Sequence, residues 1–111
     1  NNLGVLELAA GRLDEALAHD RAAVRLDPAL AEAHFNLGNA LARHGETTAA
    51  LASYAEALRL RPAFPRAHNN LGAALLRTGR REEAIAHFEA AVLLDPDYAE
   101  ARRNLAIVRG P

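Results

Sequence analysis

The chain has 111 residues, half of them apolar, with a formal net charge of −1 and no cysteine. That is one folding unit with enough apolar material for a core; it excludes disulfides and thiolate metal sites, and it lacks the overall basic field that draws nucleic acid or an anionic membrane. No apolar run approaches the ~18 residues that cross a bilayer and no signal peptide is present, so neither a membrane nor a nucleic-acid partner is expected and the cytoplasm is the working compartment.

An internal period organises everything else. Asn2, Asn36, Asn70 and Asn104 recur every 34 residues, as do Leu3, Leu37, Leu71 and Leu105. Gly4, Gly38 and Gly72 hold the same interval, and so do Gly11, Gly45 and Gly79; Ala16, Ala50 and Ala84; Ala23, Ala57 and Ala91; and Pro28, Pro62 and Pro96. The array divides into residues 1–30, 31–64, 65–98 and 99–111.

Residues 1–30 read as a truncated first repeat. Asn1 stands where Asn69 does, without counterparts of Pro65 to His68 before it. Glu7 occupies the column of Leu41 and Leu75, and Asp20 that of Tyr54 and Phe88. Such a start points to further repeats ahead of it in a longer protein, or to a polar cap. Gly11, like Gly45 and Gly79, is expected to end a helix in the left-handed conformation that glycine adopts cheaply. The second repeat, 31–64, and the third, 65–98, each read as two helices. In the third, Leu71, Gly72, Ala74 and Leu75 form an apolar stripe over 65–78, opened by Pro65 and stopped at Gly79. Ala84, Ile85, Phe88, Ala91 and Val92 form another over 82–94, stopped at Asp95-Pro96. The short connection around Gly79-Arg80-Arg81 makes the two antiparallel. A last helix, about 97–109, keeps Ala101, Leu105 and Val108 for packing backwards. It carries Arg102, Ala106 and Arg109 where a continuing array would hold packing residues, so it reads as a solvating cap.

This pattern resembles the tetratricopeptide repeat: Leu37-Gly38 and Leu71-Gly72 match its first-helix pair, Ala50, Tyr54 and Ala57, then Ala84, Phe88 and Ala91, its second-helix triplet, and Asp27-Pro28 and Asp95-Pro96 its end. The resemblance implies an all-α, right-handed superhelical solenoid whose first helices line a concave face. It implies a protein-interaction function, with three repeats and a capping helix.

On that face the asparagine column raises the functional question. Asparagine in a helix interior costs up to ~0.7 kcal/mol relative to alanine, so its recurrence needs an offsetting role. A primary amide matches the donor and acceptor of a peptide backbone. In some members of the resembled family, among them the arms of O-linked sugar transferases, this column holds an extended chain, which implies a peptide-binding role for Asn36, Asn70 and Asn104, and for Asn2 at the truncated end. The competing reading is amide hydrogen bonding between neighbouring repeats. Neutral hydrogen bonds at a net ~0.5–1.5 kcal/mol each do not reach the ~8 kcal/mol of a micromolar complex, so side-chain pockets must add to them. Phe35, Asn39, Asn69 and Leu76 are placed to form those pockets, and Arg43, Arg66, Arg77 and Arg103 bias them toward an acidic peptide. The carboxylate clamp of chaperone co-factors needs a basic residue in the column of Asn1, Phe35 and Asn69, which has none. Partner choice is expected to be written at Asn69 and its column mates.

Catalytic material is sparse. Ser53 is the lone serine and lies mid-helix, no phosphate-binding loop is present, and the five histidines make no His-x-x-x-His pair, so no enzyme activity, cofactor or metal is expected. His34 and His68 read as packed, hydrogen-bonded side chains. The alternatives to a peptide-binding module are the substrate-recognition arm of a larger enzyme such as a sugar transferase, and a self-associating scaffold whose unfinished N-terminal helix stacks on a second copy.

Overall fold

A computed structural model describes residues 2–27 and 29–110, with side chains from residue 14 onward. The described residues form six helices and no strand: α1 (Asn2–Leu26), α2 (Ala31–Arg43), α3 (Thr47–Leu60), α4 (Pro65–Arg77), α5 (Arg81–Leu94) and α6 (Ala99–Arg109). Pro65 opens α4 at its first turn, where its missing N–H leaves no bond unmade.

The two central hairpins, α2–α3 and α4–α5, turn identically. Gly45 and Gly79 take positive φ, 85° and 80°. Around them Gly45 N–H donates to the Ala42 carbonyl and Glu46 N–H to that of Leu41; Gly79 and Arg80 repeat this on Leu76 and Leu75. These paired bonds satisfy carbonyls that the helix end would otherwise leave open.

Gly38 and Gly72 do a different job. A Cβ at Gly38 would lie 2.7 Å from the Tyr54 ring, and one at Gly72 would lie 2.8 Å from Phe88. Each aromatic ring lies against the bare backbone of the partner helix. Ala50, Ala57, Ala84 and Ala91 have no exposed surface, so small residues flank each ring on its own helix. Leu41, Leu71, Leu75, Phe35 and Phe64 complete one continuous core.

α1 corrects the sequence reading. It is one 25-residue helix that runs through Gly11 without a turn. A hairpin here would have to bury the seam that holds the other two together, yet Glu7 and Asp20 occupy the columns of Leu41 and Tyr54. With little apolar surface to gain from folding back, the chain keeps its helical hydrogen bonds. Asn2 and the other side chains ahead of Asp14 lie outside the described residues.

α6 packs against α5 and α4. Ala101, Leu105 and Val108 are buried against the third repeat, while Arg102, Ala106 and Arg109 face solvent. Arg81 of α5 closes its far end, donating from Nε to the Val108 carbonyl at 2.9 Å, and Arg109 pairs with Glu89.

Helix α4 meets both α2 and α6 directly, whereas α3 and α5 do not meet. Helices closer on one side than the other bend the stack, and the α2–α4–α6 side is the inner one.

Candidate functional site

Three adjoining clefts open along the inner face. The largest, about 340 Å³, lies between α2 and α4 and is lined by Phe35, Asn39, Arg43, Tyr54, Arg66 and Asn70, with Tyr98 and Glu100 contributed from the start of α6. A second, about 200 Å³, extends it toward α1 past Asn36, Asn39, Arg43 and Asp20. A third, about 210 Å³, continues past Tyr54, Asn70, Ala73 and Arg77 to Glu100. Shared walls make them one polar furrow across the helices.

Its floor is a chain of amides. Asn104 Nδ2 donates to Asn69 Oδ1 at 3.0 Å. Asn69 Nδ2 lies 3.3 Å from Asn70 Oδ1 and 3.4 Å from the Tyr98 hydroxyl. Asn70 Nδ2 donates to Asn39 Oδ1 at 2.8 Å, and the Tyr54 hydroxyl donates to the same oxygen at 2.6 Å. Much of the asparagine column is therefore spent between neighbouring helices: Asn70 and Asn104 are half-buried and each gives an amide hydrogen to another asparagine. Asn36 alone among the described members stands exposed in a cleft wall.

The remaining candidates divide by burial. Phe35 and Asn69 are 4% and 1% exposed, so the column expected to vary with the partner faces the core. Phe35 packs on Phe64, with ring centroids 4.9 Å apart, and Arg66 covers both rings while pairing with Glu32 at 2.8 Å. Arg43 and Arg77 are exposed in the cleft walls, and no carboxylate of the described residues lies within ion-pair distance of either. Arg103 is exposed on α6, and Leu76 is partly so. Sequence reasoning missed Tyr54, Tyr98 and Glu100 as cleft residues. In the sequence Tyr54 reads as a core residue alone, because its ring belongs there.

Burial pushes the Tyr54 hydroxyl up to about 12, with the Asn70 amide and the charges of Arg77 and Arg43 pulling the other way. Both guanidiniums are thus near enough for the phenol to feel them. Burial, and then the charge of Glu100, also raise Tyr98.

On the opposite side of the hairpin, Nδ1 of His68 lies 3.0 Å from Nδ1 of His87, and its Nε2 lies 3.0 Å from the Pro62 carbonyl. The carbonyl can only accept, so His68 carries its proton on Nε2 and His87 donates to it. The ring centroids are 5.3 Å apart. That is near the most two imidazoles can reach when joined at 3.0 Å, so the nitrogens meet head-on over one shared hydrogen. His34 is half-buried. Among the described residues no three His, Cys, Asp or Glu side chains converge as metal ligands. No described helix is long and apolar enough to cross a membrane.

A family model described as tetratricopeptide repeat matches residues 35–99 and 70–109, and a second, described as TPR repeat, matches 4–45. The chain belongs to the tetratricopeptide repeat family. No curated protein matches it. Among solved structures, the first tetratricopeptide domain of Spaghetti (RPAP3), bound in its crystal to the HSP90 peptide SRMEEVD, superposes with a TM-score of 0.86 at 24% identity, over 97% of this chain and 86% of that one. At that identity the likeness is one of fold. YrrB, a tetratricopeptide protein described as having an unusual peptide-binding site, gives 0.80 at 27% identity over 92% of this chain. TTC0263, a thermophilic tetratricopeptide protein of Thermus thermophilus, gives 0.82 at 31% over 93%. The present tetratricopeptide array spans 53% of each of the last two chains.

Proposed function

We propose that this array is a protein-interaction module whose concave face takes an extended, acidic segment of a partner protein. The observation that carries the reading is the pair of guanidiniums, Arg43 and Arg77, standing in the walls of a continuous furrow with no carboxylate of the described residues at ion-pair distance, although Glu100 and Asp20 line the same clefts, while Arg59, Arg66, Arg80 and Arg109 all have one. Burying a charge without a partner is costly, so a furrow with two open cations favours a ligand that brings anions. The likeness to YrrB supports peptide binding on this fold.

The asparagine ladder enters in reduced form. Asn36, and the amide hydrogens of Asn39 and Asn70 not used internally, remain for a bound chain, while Asn104 and Asn69 hold the floor. Arg103 extends the basic edge onto α6. Nothing among the described residues favours a transferase arm or self-assembly over this reading.

Panning a random-sequence peptide library on the immobilised protein tests it. Winners should be rich in Asp and Glu, and the enrichment should vanish with Arg43→Ala/Arg77→Ala at an unchanged melting temperature. Winners without acidic bias, or selection indifferent to the two arginines, would overturn it.

A further inference from the structure

The amides beneath the furrow decide which kind of atom it can hold. Asn39 Oδ1 receives two hydrogens, from the Tyr54 hydroxyl and from Asn70 Nδ2. A carbonyl oxygen has two lone pairs, so this one is saturated, and the Asn39 amide turns its N–H pair toward the furrow.

The opposite setting is closed. Turning Asn39 over would bring its Nδ2 against that of Asn70, donor to donor. Turning Asn70 as well would break its bond from Asn69. The 2.6 Å separation is that of an O–H···O bond, which puts the oxygen of Asn39, and not its nitrogen, against the phenol. Tyr54 has no freedom to choose otherwise: its side chain is 2% exposed and its ring lies on Gly38 with no room for a methyl group between.

We propose that Tyr54 is the positioning residue that makes the furrow selective for a carboxylate: by holding the Asn39 oxygen inward it leaves the Asn39 N–H pair and the Arg43 and Arg77 guanidiniums facing the ligand, a set that accepts an ionised Asp or Glu and rejects the Asn or Gln of the same shape. The proposal rests on the peptide-binding reading above. A carboxylate is acceptor only and satisfies every one of these donors. An amide brings its own N–H groups against them, and leaving a polar group unmatched is what discriminates. Glu100 stands on the rim shared by two of the clefts and competes as a carboxylate of the chain itself.

The test uses the whole chain, labelled with ¹⁵N, and two capped peptides, acetyl-Ala-Ala-Glu-Ala-Ala-amide and its Gln twin. The wild type should bind the Glu peptide about tenfold more tightly, with the Asn39 side-chain amide signals moving. Tyr54→Phe, which leaves Asn70 alone to hold the Asn39 oxygen, should narrow the ratio while the helical spectrum and the signals of α5 and α6 stay in place. Asn39→Asp, which presents an oxygen instead, should reverse the preference, and decides the matter where Tyr54→Phe fails to fold. Glu100→Gln should tighten the Glu peptide. Equal binding of the two peptides by the wild type, undiminished discrimination in Tyr54→Phe, or discrimination kept in Asn39→Asp, would overturn the proposal and leave peptide binding standing. No movement of any inner-face signal with either peptide removes both.

Discussion

Gly72→Ala sets helix propensity against close packing at a single atom. The new Cβ would sit 2.8, 2.9 and 3.1 Å from three atoms of Phe88, where carbon atoms prefer about 3.5–4.0 Å. Phe88 is 1% exposed and Ala84 and Ala91 beside it are fully covered, so the ring has nowhere to slide and α4 must move off α5. Overpacking of this kind costs ~1–3 kcal/mol, and three overlapping atoms against a fixed ring place this case in the upper half of that range. Alanine returns ~1 kcal/mol as the better helix former. The net expectation is a loss of ~1–2 kcal/mol, hence a melting temperature lower by roughly 5–10 °C, at about 4–8 °C per kcal/mol for a domain near this size. Thermal unfolding followed by circular dichroism at 222 nm reads it directly. Phe88→Leu should absorb part of the damage, so the double variant should melt higher than the sum of the two single losses predicts. A melting temperature that rises in Gly72→Ala refutes the close-contact account, because propensity alone would then be governing the site.

The turn glycines give a test by sign: Gly45→Ala and Gly79→Ala, at positive φ with open space around them, should each cost ~1 kcal/mol, whereas Gly11→Ala, inside α1, should add about as much in chemical denaturation. Burial and the charge of His68 hold His87 below its ordinary range, while Glu83 draws it up more weakly, so the folded state binds fewer protons than the unfolded one near pH 6. Stability should be full above ~6.5 and fall as the pH drops through that value toward the folded-state pKa, seen as a declining melting temperature that His87→Asn flattens. Both tyrosines are raised, so absorbance at 295 nm should show no phenol ionising at the ordinary ~10 in the folded protein. Unfolded tyrosines lose their protons first, so stability should decline between ~10 and ~12 as alkali is added.

The fold was legible wherever a column repeats. Gly45 and Gly79 turn the chain, Gly38 and Gly72 carry rings, and Leu105 and Val108 pack backwards, all as their spacing implied. What the columns could not tell was how each position points once the hairpins rotate against one another. Phe35 and Asn69 lie one residue before the asparagine column, and that single helical step of about 100° takes them from the furrow's open walls to its buried floor. The bond between Asn39 and Asn70 joins positions 31 apart, off the period, because helices that cross at an angle do not meet at equal heights. Gly11 shows the reverse failure: its column predicted a turn, but a turn forms only when both of its arms have something to bury. Tyr54 was hidden by its own ring, whose packing role left no sign that the hydroxyl had a second one.

The bonds from Asn104 through Asn69 and Asn70 to Asn39 give the array a memory of direction. Each amide can sit two ways round, yet each constrains the next, so they behave as a row of compass needles read off from one end. α6 does more than cover α5: its Asn104 biases the orientation of a side chain on α2, beyond α4. An insertion of one more repeat before α6 would then carry through to the far cleft only if it brought an asparagine of its own, which makes the amide the part that must be copied for the array to grow and still recognise the same partner.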